Sequence, residues 1–235
     1  MEPLKPFSLF IPVFNEEDLL ETNTEIVKSY LSRRHFTYEI VIVDNGSTDS
    51  TSEIGRDLMK KYKEVRFYTV PKRGPGYALK RALFEFRYEN VVFIDIDLSI
   101  NLSFIEEAAS LLDSYTVVIG SKKRGKDQRN ILRVFAGSLF VRFVQLILGL
   151  PYSDYSIGGK AFRKSFLLEN IRLIDDRTNY VLSLIYAAYK KGERIIEIPV
   201  FCDDKRKSRF SLLSEIFYRS YMVSKLRLGK VLKKP

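Results

Sequence analysis

Two aspartates, Asp95 and Asp97, directly follow a short apolar run at residues 91–94. Alternate residues of an extended strand point to the same face, so we expect the two carboxylates to lie side by side. Like charges at that spacing repel each other unless a cation lies between them. Carboxylate oxygens are ligands of Mg²⁺ and Mn²⁺, and a diphosphate supplies further oxygens of the same kind. The pair therefore predicts a site for Mg²⁺ or Mn²⁺, with a solvated strand end as the structural alternative.

Two further polar clusters follow apolar runs in the same way. Residues 12–17 have the sequence PVFNEE, and residues 43–49 have the sequence VDNGSTD. A turn of the second kind in front of a helix is often only a helix cap, so neither cluster is specific by itself. What gives them weight is that all three clusters come at the ends of predicted strands.

Strands and helices alternate around these clusters. Ser50 and Glu53 have the spacing of a capping box, which predicts the start of the second helix. The alternation predicts an α/β fold with a mostly parallel sheet, whose ligands bind at the carboxyl ends of its strands. The predicted strands are residues 8–13, 38–43, 65–70, 91–94 and 117–119, and the predicted helices are residues 16–33, 50–62, 76–87 and 103–113.

The second half of the chain has a different pattern. Residues 128–149 predict a long apolar helix or helix pair that carries basic side chains. Residues 178–191 and 211–228 predict two more helices, with a strand at residues 194–200 between them. We find no internal repeat, low-complexity stretch or clear linker, so we expect one domain over residues 1–235.

The formal charge of +10 is concentrated in this second half. Residues 205–235 contain ten Lys and Arg against one acid, and residues 121–145 contain seven against one. This distribution predicts anionic partners, a class that includes nucleic acid, phosphorylated substrates and membrane surfaces. We expect no signal peptide, because residues 1–6 lack an apolar h-region, and no membrane span, because Arg142 and Gln145 interrupt the longest apolar run.

A single histidine, His35, and a single cysteine, Cys202, limit the chemistry further. One cysteine excludes an internal disulfide and a cysteine-based zinc site. One histidine leaves no histidine cluster for a metal and argues against a Ser-His-Asp triad. Cys202 is expected to be a buried thiol rather than a nucleophile, since no histidine lies near it in the sequence.

In combination, the three clusters resemble the motifs of the family-2 glycosyltransferases, in the same order and over most of the chain. Residues 12–16 resemble that family's Pro-x-Tyr-Asn-Glu, with Phe14 in place of Tyr. Residues 43–49 resemble its Val-Asp-Asp-Gly-Ser-x-Asp, with Asn45 in place of the second Asp. Asp95 and Asp97 match its Asp-x-Asp metal motif. The resemblance implies the GT-A fold of nucleotide-diphospho-sugar transferases.

Other segments resemble one subfamily, the polyprenyl-phosphate hexose synthases, which include the dolichyl-phosphate mannose and glucose synthases. Residues 72–78 resemble their Gly-x-Gly-x-Ala loop, residues 119–122 their Gly-Ser-Arg, and residues 154–162 their Asp-x-x-x-Gly-Phe-Lys-x-Phe. Arg133 lies 21 positions before Asp154, where that subfamily has an arginine ahead of an apolar helix. Ser208 and Arg209 are placed like its late Gly-Ser-Lys.

The resemblance implies a role for each matching residue. Residues 1–120 would bind the nucleotide-sugar, and residues 121–235 would bind the acceptor and a membrane surface. Asp44 would accept a hydrogen bond from the base, and Asp95 and Asp97 would hold Mg²⁺ or Mn²⁺ on the donor diphosphate. The expected catalytic residues are Asp97, Asp154 and Arg133; the expected nucleotide-sugar ligands are Pro12, Phe14, Glu16, Asp44, Gly76 and Asp95; the expected acceptor-phosphate ligands are Lys122, Arg133 and Arg209.

The basic second half also gives a physical reason to expect a lipid phosphate acceptor. A phosphate monoester is already ionised near neutral pH, so it needs cations and a place for its tail more than it needs a general base. Residues 134–149 are apolar with Arg142 among them, as in helices that lie on membranes, although a buried core helix has the same pattern. We likewise expect the apolar stripe of residues 211–228 to contact the bilayer.

The sequence therefore predicts an inverting transfer of a hexose from GDP-mannose or UDP-glucose to dolichyl or polyprenyl phosphate. We expect the protein to lie on the cytoplasmic face of a membrane without crossing it. One alternative is a family-2 glycosyltransferase with a glycan hydroxyl as acceptor, in which Asp154 would act as a base. Another is a basic nucleic-acid-binding module, which leaves Asp95 and Asp97 unexplained. A nucleotidyltransferase would carry a glycine-rich loop with a lysine where residues 12–16 stand.

Overall fold

The computed structural model describes residues 4–127, 131–155, 157–202 and 212–228. Within these ranges, residues 123–127, 131–133, 136 and 212–217 are described by their backbone alone. The strands are β1 (Phe7–Val13), β2 (Tyr38–Asp44), β3 (Val65–Thr69), β4 (Asn90–Phe93), β5 (Val117–Asp127), β6 (Lys160–Arg163) and β7 (Ile195–Cys202). The helices are α1 (Glu17–Ser32), α2 (Thr51–Lys61), α3 (Pro75–Leu83), α4 (Ser103–Leu111), α5 (Ile131–Leu148), α6 (Lys164–Glu169), α7 (Tyr180–Lys190) and α8 (Leu212–Arg227), with a 3-10 turn at Ile171–Leu173.

The strands of the described chain form one sheet in the order β3-β2-β1-β4-β6-β5-β7. Neighbouring strands pair in parallel except at β6, which runs antiparallel to β4 and β5. The prediction of a mostly parallel α/β sheet is therefore confirmed. Lys160, the first residue of β6, pairs with Phe93 of β4 and Ile119 of β5. The reversed strand thus begins at the edge where β4 ends.

Helices cover both faces of the sheet. In β2, Ile40 and Ile42 pack on the face covered by α1, α2 and α4, whereas Val41 and Val43 pack on the face covered by α3 and α5–α8. Every residue of β2 is buried, and residues 40–43 form a continuous apolar run because both faces of the sheet are covered. Burial of each such side chain contributes roughly 1.5–3 kcal/mol to folding.

The second half departs from the sequence prediction in three places. β5 continues beyond residue 119 to Asp127, with an irregularity in its pairing to β7 between Ser121 and Lys126. Its extension is too polar to be recognised from apolar patterning, and pairing with β7 supports it. The short elements β6 and α6 were not predicted at all. Residues 131–148 form the single helix α5, which resolves the choice between one helix and two in the described chain.

The predicted capping box of α2 is wrong, although the helix begins at Thr51 as expected. Within the described chain, the Ser50 side chain makes no cap hydrogen bond. Asp49 Oδ1 accepts the Thr51 N–H at 3.0 Å, and Glu17 Oε2 accepts the Ser50 N–H at 2.9 Å. Side chains from the preceding loop and from α1 therefore satisfy these amides.

Two glycines hold the start of α3 against the loop at residues 175–177. The Gly76 N–H donates to the Arg177 carbonyl at 3.1 Å. A Cβ on Gly76 would lie 1.8 Å from the Asp175 carbonyl oxygen, and a Cβ on Gly74 would lie 2.1 Å from that of Asp176. Both glycines are therefore required, because the backbone of residues 175–177 lies too close to leave room for a Cβ at either position.

We expect Gly76→Ala to lower the free energy of unfolding by about 1–3 kcal/mol or more, because the added methyl group meets rigid backbone. Gly137→Ala is the matched control, since no described atom outside the neighbouring backbone of α5 lies within 4 Å of a Cβ at that position. The control is expected to stabilise the helix by roughly 0.5–1 kcal/mol. Urea unfolding of both variants measures the difference, and equal stability would contradict the close approach.

Candidate active site at the carboxyl edge of the sheet

Asp95 and Asp97 lie on a turn just beyond β4. The strand ends at Phe93, so the expectation that strand alternation puts both carboxylates on one face is wrong. The turn is closed by the Leu98 N–H, which donates to the Asp95 carbonyl at 3.2 Å, and Leu98 has a φ of 52°. A tight turn, and not an extended strand, brings the two aspartates to this edge.

The same turn is anchored in the core by its middle residue. Ile96 is buried, and Asn23 of α1 donates from Nδ2 to the Ile96 carbonyl at 2.8 Å. Asp97 Oδ1 accepts the Ser99 N–H at 3.0 Å, which orients that carboxylate. The Asp95 residue is exposed. A fixed backbone therefore presents one oriented carboxylate and one exposed carboxylate.

The Asp95 carboxylate lies directly against Gly158. A Cβ at Gly158 would lie 2.0 Å from Asp95 Oδ2, so a larger residue there would displace the carboxylate. Among the described residues, no group of three or more His, Cys, Asp or Glu could hold a metal by itself. Two carboxylates completed by diphosphate oxygens suit Mg²⁺ or Mn²⁺. The donor set thus fits a metal that Asp95 and Asp97 share with a ligand.

The loops after β1 and β2 are tied together by hydrogen bonds. The Asn15 N–H donates to Ser47 Oγ at 2.8 Å, and the Thr48 N–H donates back to Asn15 Oδ1 at 2.9 Å. The Glu16 N–H donates to Thr51 Oγ1 at 2.8 Å. These bonds bring residues 12–16 and 43–49 together, as their positions at neighbouring strand ends predict.

Asp44 is buried at the end of β2, and its carboxylate accepts hydrogen bonds from the residues that follow it. Its Oδ1 accepts the Ser47 N–H at 3.0 Å and the Ser47 hydroxyl at 2.5 Å, and its Oδ2 accepts the Ser52 hydroxyl. The neighbouring Asn45 is also buried, and its Oδ1 has no hydrogen-bond partner in the described structure. An unsatisfied buried acceptor costs about 1–3 kcal/mol, which a donor group on a ligand would relieve.

Pro12, Phe14 and Glu16, three of the predicted nucleotide-sugar ligands, are half-buried at the end of β1. The Arg73 guanidinium lies over the Phe14 ring, 4.3 Å from its centroid. Gly76 lies at the start of α3, on the loop that carries Arg73. All the predicted nucleotide ligands are therefore at the carboxyl edge of the sheet.

Lys160 is a site residue that sequence reasoning missed. It is only 4% exposed, and burial lowers its pKa to about 8, while the charges of Asp154 and Asp95 oppose that shift. The charges of both carboxylates act on this buried ammonium, one from the Asp95 turn and one from the segment around Asp154. The sequence signal was its place in the segment at residues 154–162, where a lysine precedes the apolar residues Ala161 and Phe162.

Asp154 is buried in a network of hydrogen bonds that includes an ion pair with Lys122. Its Oδ2 lies 3.0 Å from Lys122 Nζ, and its Oδ1 accepts the Ile157 N–H at 3.2 Å. Glu197 of β7, which was also missed, accepts the N–H groups of Ser153 and Asp154 at 2.6 and 3.1 Å. Lys122 is therefore a buried partner of Asp154 rather than an exposed lysine.

Two further side chains reach the site from the second half. Burial raises the pKa of the Tyr180 hydroxyl at the start of α7, and the charge of Asp95 acts in the same direction. Arg219 of α8 donates to Thr178 Oγ1 at 3.5 Å, and its charge is among those that lower the pKa of Lys160. Neither residue lies in a motif that pointed to chemistry.

Two predicted acceptor ligands cannot be placed by their contacts. Arg133 lies in the first turn of α5, but its side chain is outside the described part of the structure. Arg209 lies outside the described residues altogether. Of the three predicted acceptor-phosphate ligands, only Lys122 has described contacts.

The apolar side chains of α5 divide between the core and the surface. Val144 and Leu148 are buried, whereas Phe135, Leu139 and Leu146 are 70%, 61% and 83% exposed. The exposed three are spaced by four and seven residues, which places them in one stripe along the helix. No helix in the described ranges is both long enough and apolar enough to cross a membrane.

The expectation for the last helix is wrong where its side chains are described. Met222, Val223 and Leu226 of α8 are buried, and the helix packs against α5. The described apolar side chains at residues 222, 223 and 226 therefore contribute to the core and are not available to a bilayer. Tyr221, on another side of the helix, is exposed.

Comparisons with known proteins agree with this geometry. The model of Glycosyl transferase family 2 matches residues 8–170. The dolichyl-phosphate beta-glucosyltransferase of Homo sapiens is 34% identical over 218 residues, covering 84% of this chain and 67% of that protein. Glycosyltransferase AglD of Haloferax volcanii is 27% identical over 220 residues, covering 89% of this chain and 35% of that protein. The chain thus spans from about a third to about two thirds of the length of these relatives.

Solved structures resemble the chain along nearly its whole length. Glucosyl-3-phosphoglycerate synthase from Mycobacterium tuberculosis, in complex with Mn²⁺, UDP and phosphoglyceric acid, has a TM-score of 0.68 and 19% identity, covering 98% of this chain and 80% of that one. The same enzyme with Mg²⁺ and UDP has the same TM-score, identity and coverage. The likeness shows that the chain has the GT-A fold that the motifs implied.

We expect the buried Lys122–Asp154 pair to behave as one structural unit. Lys122→Met takes the ammonium at 3.0 Å away from the buried Asp154 carboxylate and should cost roughly 3–5 kcal/mol, whereas Lys122→Met/Asp154→Leu should cost clearly less than the sum of the two single losses. The matched control is the exposed pair Lys60–Asp57, for which Lys60→Ala should change stability by at most about 0.5 kcal/mol.

A double-mutant cycle on thermal unfolding measures this coupling. Additive losses at Lys122 and Asp154 would contradict a buried ion pair.

Proposed function

The chain belongs to glycosyl transferase family 2, and from that premise we propose that it transfers a hexose from a nucleotide-sugar to dolichyl or polyprenyl phosphate. The observation that carries the proposal is that acidic and basic side chains lie together at one edge of the sheet. There the Asp95 carboxylate touches Gly158, two residues before the buried Lys160. Carboxylates suited to a metal-bound diphosphate therefore adjoin a cation cluster suited to a second phosphate.

We propose UDP-glucose as the donor in preference to GDP-mannose. The human relative is named as a glucosyltransferase, and the similar solved enzyme is described with UDP. Asp44 and Asn45 supply acceptor atoms at the floor of the proposed base site. The N–H groups of uracil and guanine both suit such acceptors, so the preference rests on the relatives.

In the proposed reaction, an oxygen of the acceptor phosphate attacks C1 of the hexose on the face opposite the donor diphosphate. The new C1–O bond forms as the bond from C1 to the diphosphate breaks, the nucleoside diphosphate leaves with the electron pair, and the configuration at C1 inverts. The attacking oxygen is already anionic, so no proton has to move. The metal, when held by Asp95 and Asp97, would supply positive charge to the leaving diphosphate.

The chain's own residues supply the rest of the electrostatics. Lys160 and Lys122 give this edge two buried positive charges, and Asp154 holds the Lys122 ammonium at 3.0 Å. We assign Asp154 to positioning, because its oxygens already serve Lys122 and the Ile157 N–H. Arg133, at the start of α5, is the proposed ligand of the acceptor phosphate.

We propose that α5 lies on a membrane surface, where a lipid acceptor is found. Its exposed stripe of Phe135, Leu139 and Leu146 carries Arg142 beside it, as an interfacial helix does. Leu139→Glu/Leu146→Glu should therefore reduce sedimentation with anionic vesicles, while Ile26→Glu, at an exposed position on α1, should not. Equal sedimentation of both variants would contradict the proposal that α5 contacts the membrane.

The metal assignment predicts that Asp97→Ala abolishes transfer and donor-dependent Mn²⁺ binding without unfolding the protein, because a turn carboxylate contributes little to the core. Asp57→Ala is the control, since it removes an exposed acid on α2 that pairs with the exposed Lys60. Calorimetric titration of Mn²⁺ in the presence of UDP checks the binding. Full activity in excess EDTA would contradict a metal at this site.

The acceptor assignment predicts different costs for Asp154 and Arg133. With a phosphate acceptor, Asp154→Asn should slow transfer by less than the ~10²–10⁴-fold typical of a lost general base. Arg133→Ala should raise the KM for acceptor steeply and leave donor binding unchanged. Arg142→Ala, on the same helix, is the matched control for loss of a charge.

Initial rates with polyprenyl phosphate as the varied substrate, on variants whose melting temperature has been checked, give the answer. An inactive Asp154→Asn beside a nearly normal Arg133→Ala would instead indicate a glycan hydroxyl acceptor.

A further inference from the structure

Glu197 is a buried acid on β7 to which the proposed reaction assigns no role. It pairs with Ile119 of β5, and Ile119 pairs in turn with Lys160 of β6, so the three residues form one row across the sheet. Side chains in one row of a sheet point to the same face. Glu197 and Lys160 therefore lie on either side of β5, on the face that is covered by α3 and α5–α8.

The Glu197 carboxylate is bonded to two consecutive residues. Its Oε1 accepts the Ser153 N–H at 2.6 Å, the Ser153 hydroxyl at 3.0 Å and the Asp154 N–H at 3.1 Å. A serine hydroxyl has one hydrogen, so in the contact of 2.7 Å between the Ser121 and Ser153 hydroxyls, Ser121 is the donor. The carboxylate thus fixes the backbone ahead of Asp154 and, through Ser153, the side chain of Ser121.

These two serines flank the buried ion pair. Ser121 directly precedes Lys122, and Ser153 directly precedes Asp154. Asp154 Oδ2 lies 3.0 Å from Lys122 Nζ and accepts the Lys122 N–H at 3.4 Å. The pairing of β5 with β7 is irregular between Ser121 and Lys126, so a regular strand ladder does not hold Lys122 in place. The hydrogen bonds around the buried acid fix its position instead.

We propose that Glu197 is a positioning residue for the acceptor phosphate, which holds Lys122 and Asp154 so that the Lys122 ammonium meets the phosphate oxygens. An ammonium has three N–H bonds, so Asp154 and a phosphate can share it. The inference rests on the proposed function, and it adds a residue that lies outside residues 8–170, the part that the family model matches. Glu197 acts through its neighbours and not by contact with the phosphate.

Steady-state kinetics in which polyprenyl phosphate and UDP-glucose are varied in turn separates the two substrates. Glu197→Ala should raise the KM for polyprenyl phosphate by roughly ten-fold or more, the change expected when a charge-assisted hydrogen bond is lost, and should leave the KM for UDP-glucose within about two-fold. Glu197→Gln should recover most of the loss, because its amide oxygen can still accept the same hydrogen bonds.

Glu193→Ala is the matched control. Glu193 directly precedes the β7 region and accepts the Thr116 hydroxyl at 2.6 Å, at the opposite edge of the sheet. Its loss removes a glutamate that also links the neighbourhood of β5 to that of β7, and both KM values should stay unchanged. Ser153→Ala is a milder test, since it removes the hydroxyl relay but keeps both N–H bonds to Glu197, and it should raise the acceptor KM to a smaller extent.

A folded Glu197→Ala protein with an unchanged acceptor KM, or with equal rises in the two KM values, would overturn the inference. If Glu197→Ala does not fold, an unchanged acceptor KM in Ser153→Ala would overturn it. Absence of transfer to polyprenyl phosphate by the parent protein would overturn the proposed function, and the inference with it.

Discussion

An ammonium group in the interior of a protein stays charged only if carboxylates lie close enough to offset the loss of water. Lys160 meets that condition at the start of β6, where the charges of Asp154 and Asp95 both act on it. One of these acids belongs to the turn after β4, and the other belongs to the segment that leads into β6. Acids from both halves of the site therefore act on this one buried cation.

That coupling depends on the direction of a single strand. Had β6 run parallel to β4, Lys160 would lie at the opposite edge of the sheet, far from Asp95. The antiparallel pairing instead brings the segment before β6 to the carboxyl ends of β4 and β5. Gly158 then fits against Asp95 because it has no Cβ, and Glu197 of β7 holds the Ser153 and Asp154 amides. Residues on or next to β4, β5, β6 and β7 thus lie close together at this edge.

The sequence predicted the first half well because its strands are buried on both faces. Continuous apolar runs mark strands such as β2, and polar residues at their ends mark the edge that binds ligands. The three clusters at residues 12–17, 43–49 and 95–99 are on that edge. Local patterning could not reveal β6, which has four residues, or the polar extension of β5, since both depend on pairing with strands distant in the chain.

Site residues were missed for the same reason. Glu197 and Tyr180 sit in segments that read as an ordinary strand and helix, and only the tertiary structure carries them to Asp154 and Asp95. The capping box failed because Glu17 accepts the Ser50 N–H that Glu53 was expected to accept, and the Glu53 N–H donates to the Ser50 carbonyl instead of the Ser50 side chain. In each case a contact between distant segments replaced the local interaction that spacing suggested.

The central claim is that this edge transfers a hexose from a nucleotide-sugar to a lipid phosphate. The most direct measurement is incubation of the protein with radiolabelled UDP-glucose, Mn²⁺ and polyprenyl phosphate, followed by extraction of the lipid. We predict label in the organic phase that depends on both the metal and the lipid phosphate, and that mild acid releases as free glucose. Label that stays in the aqueous phase with UDP-glucose and with GDP-mannose alike, while the folded protein binds UDP and Mn²⁺, would contradict it.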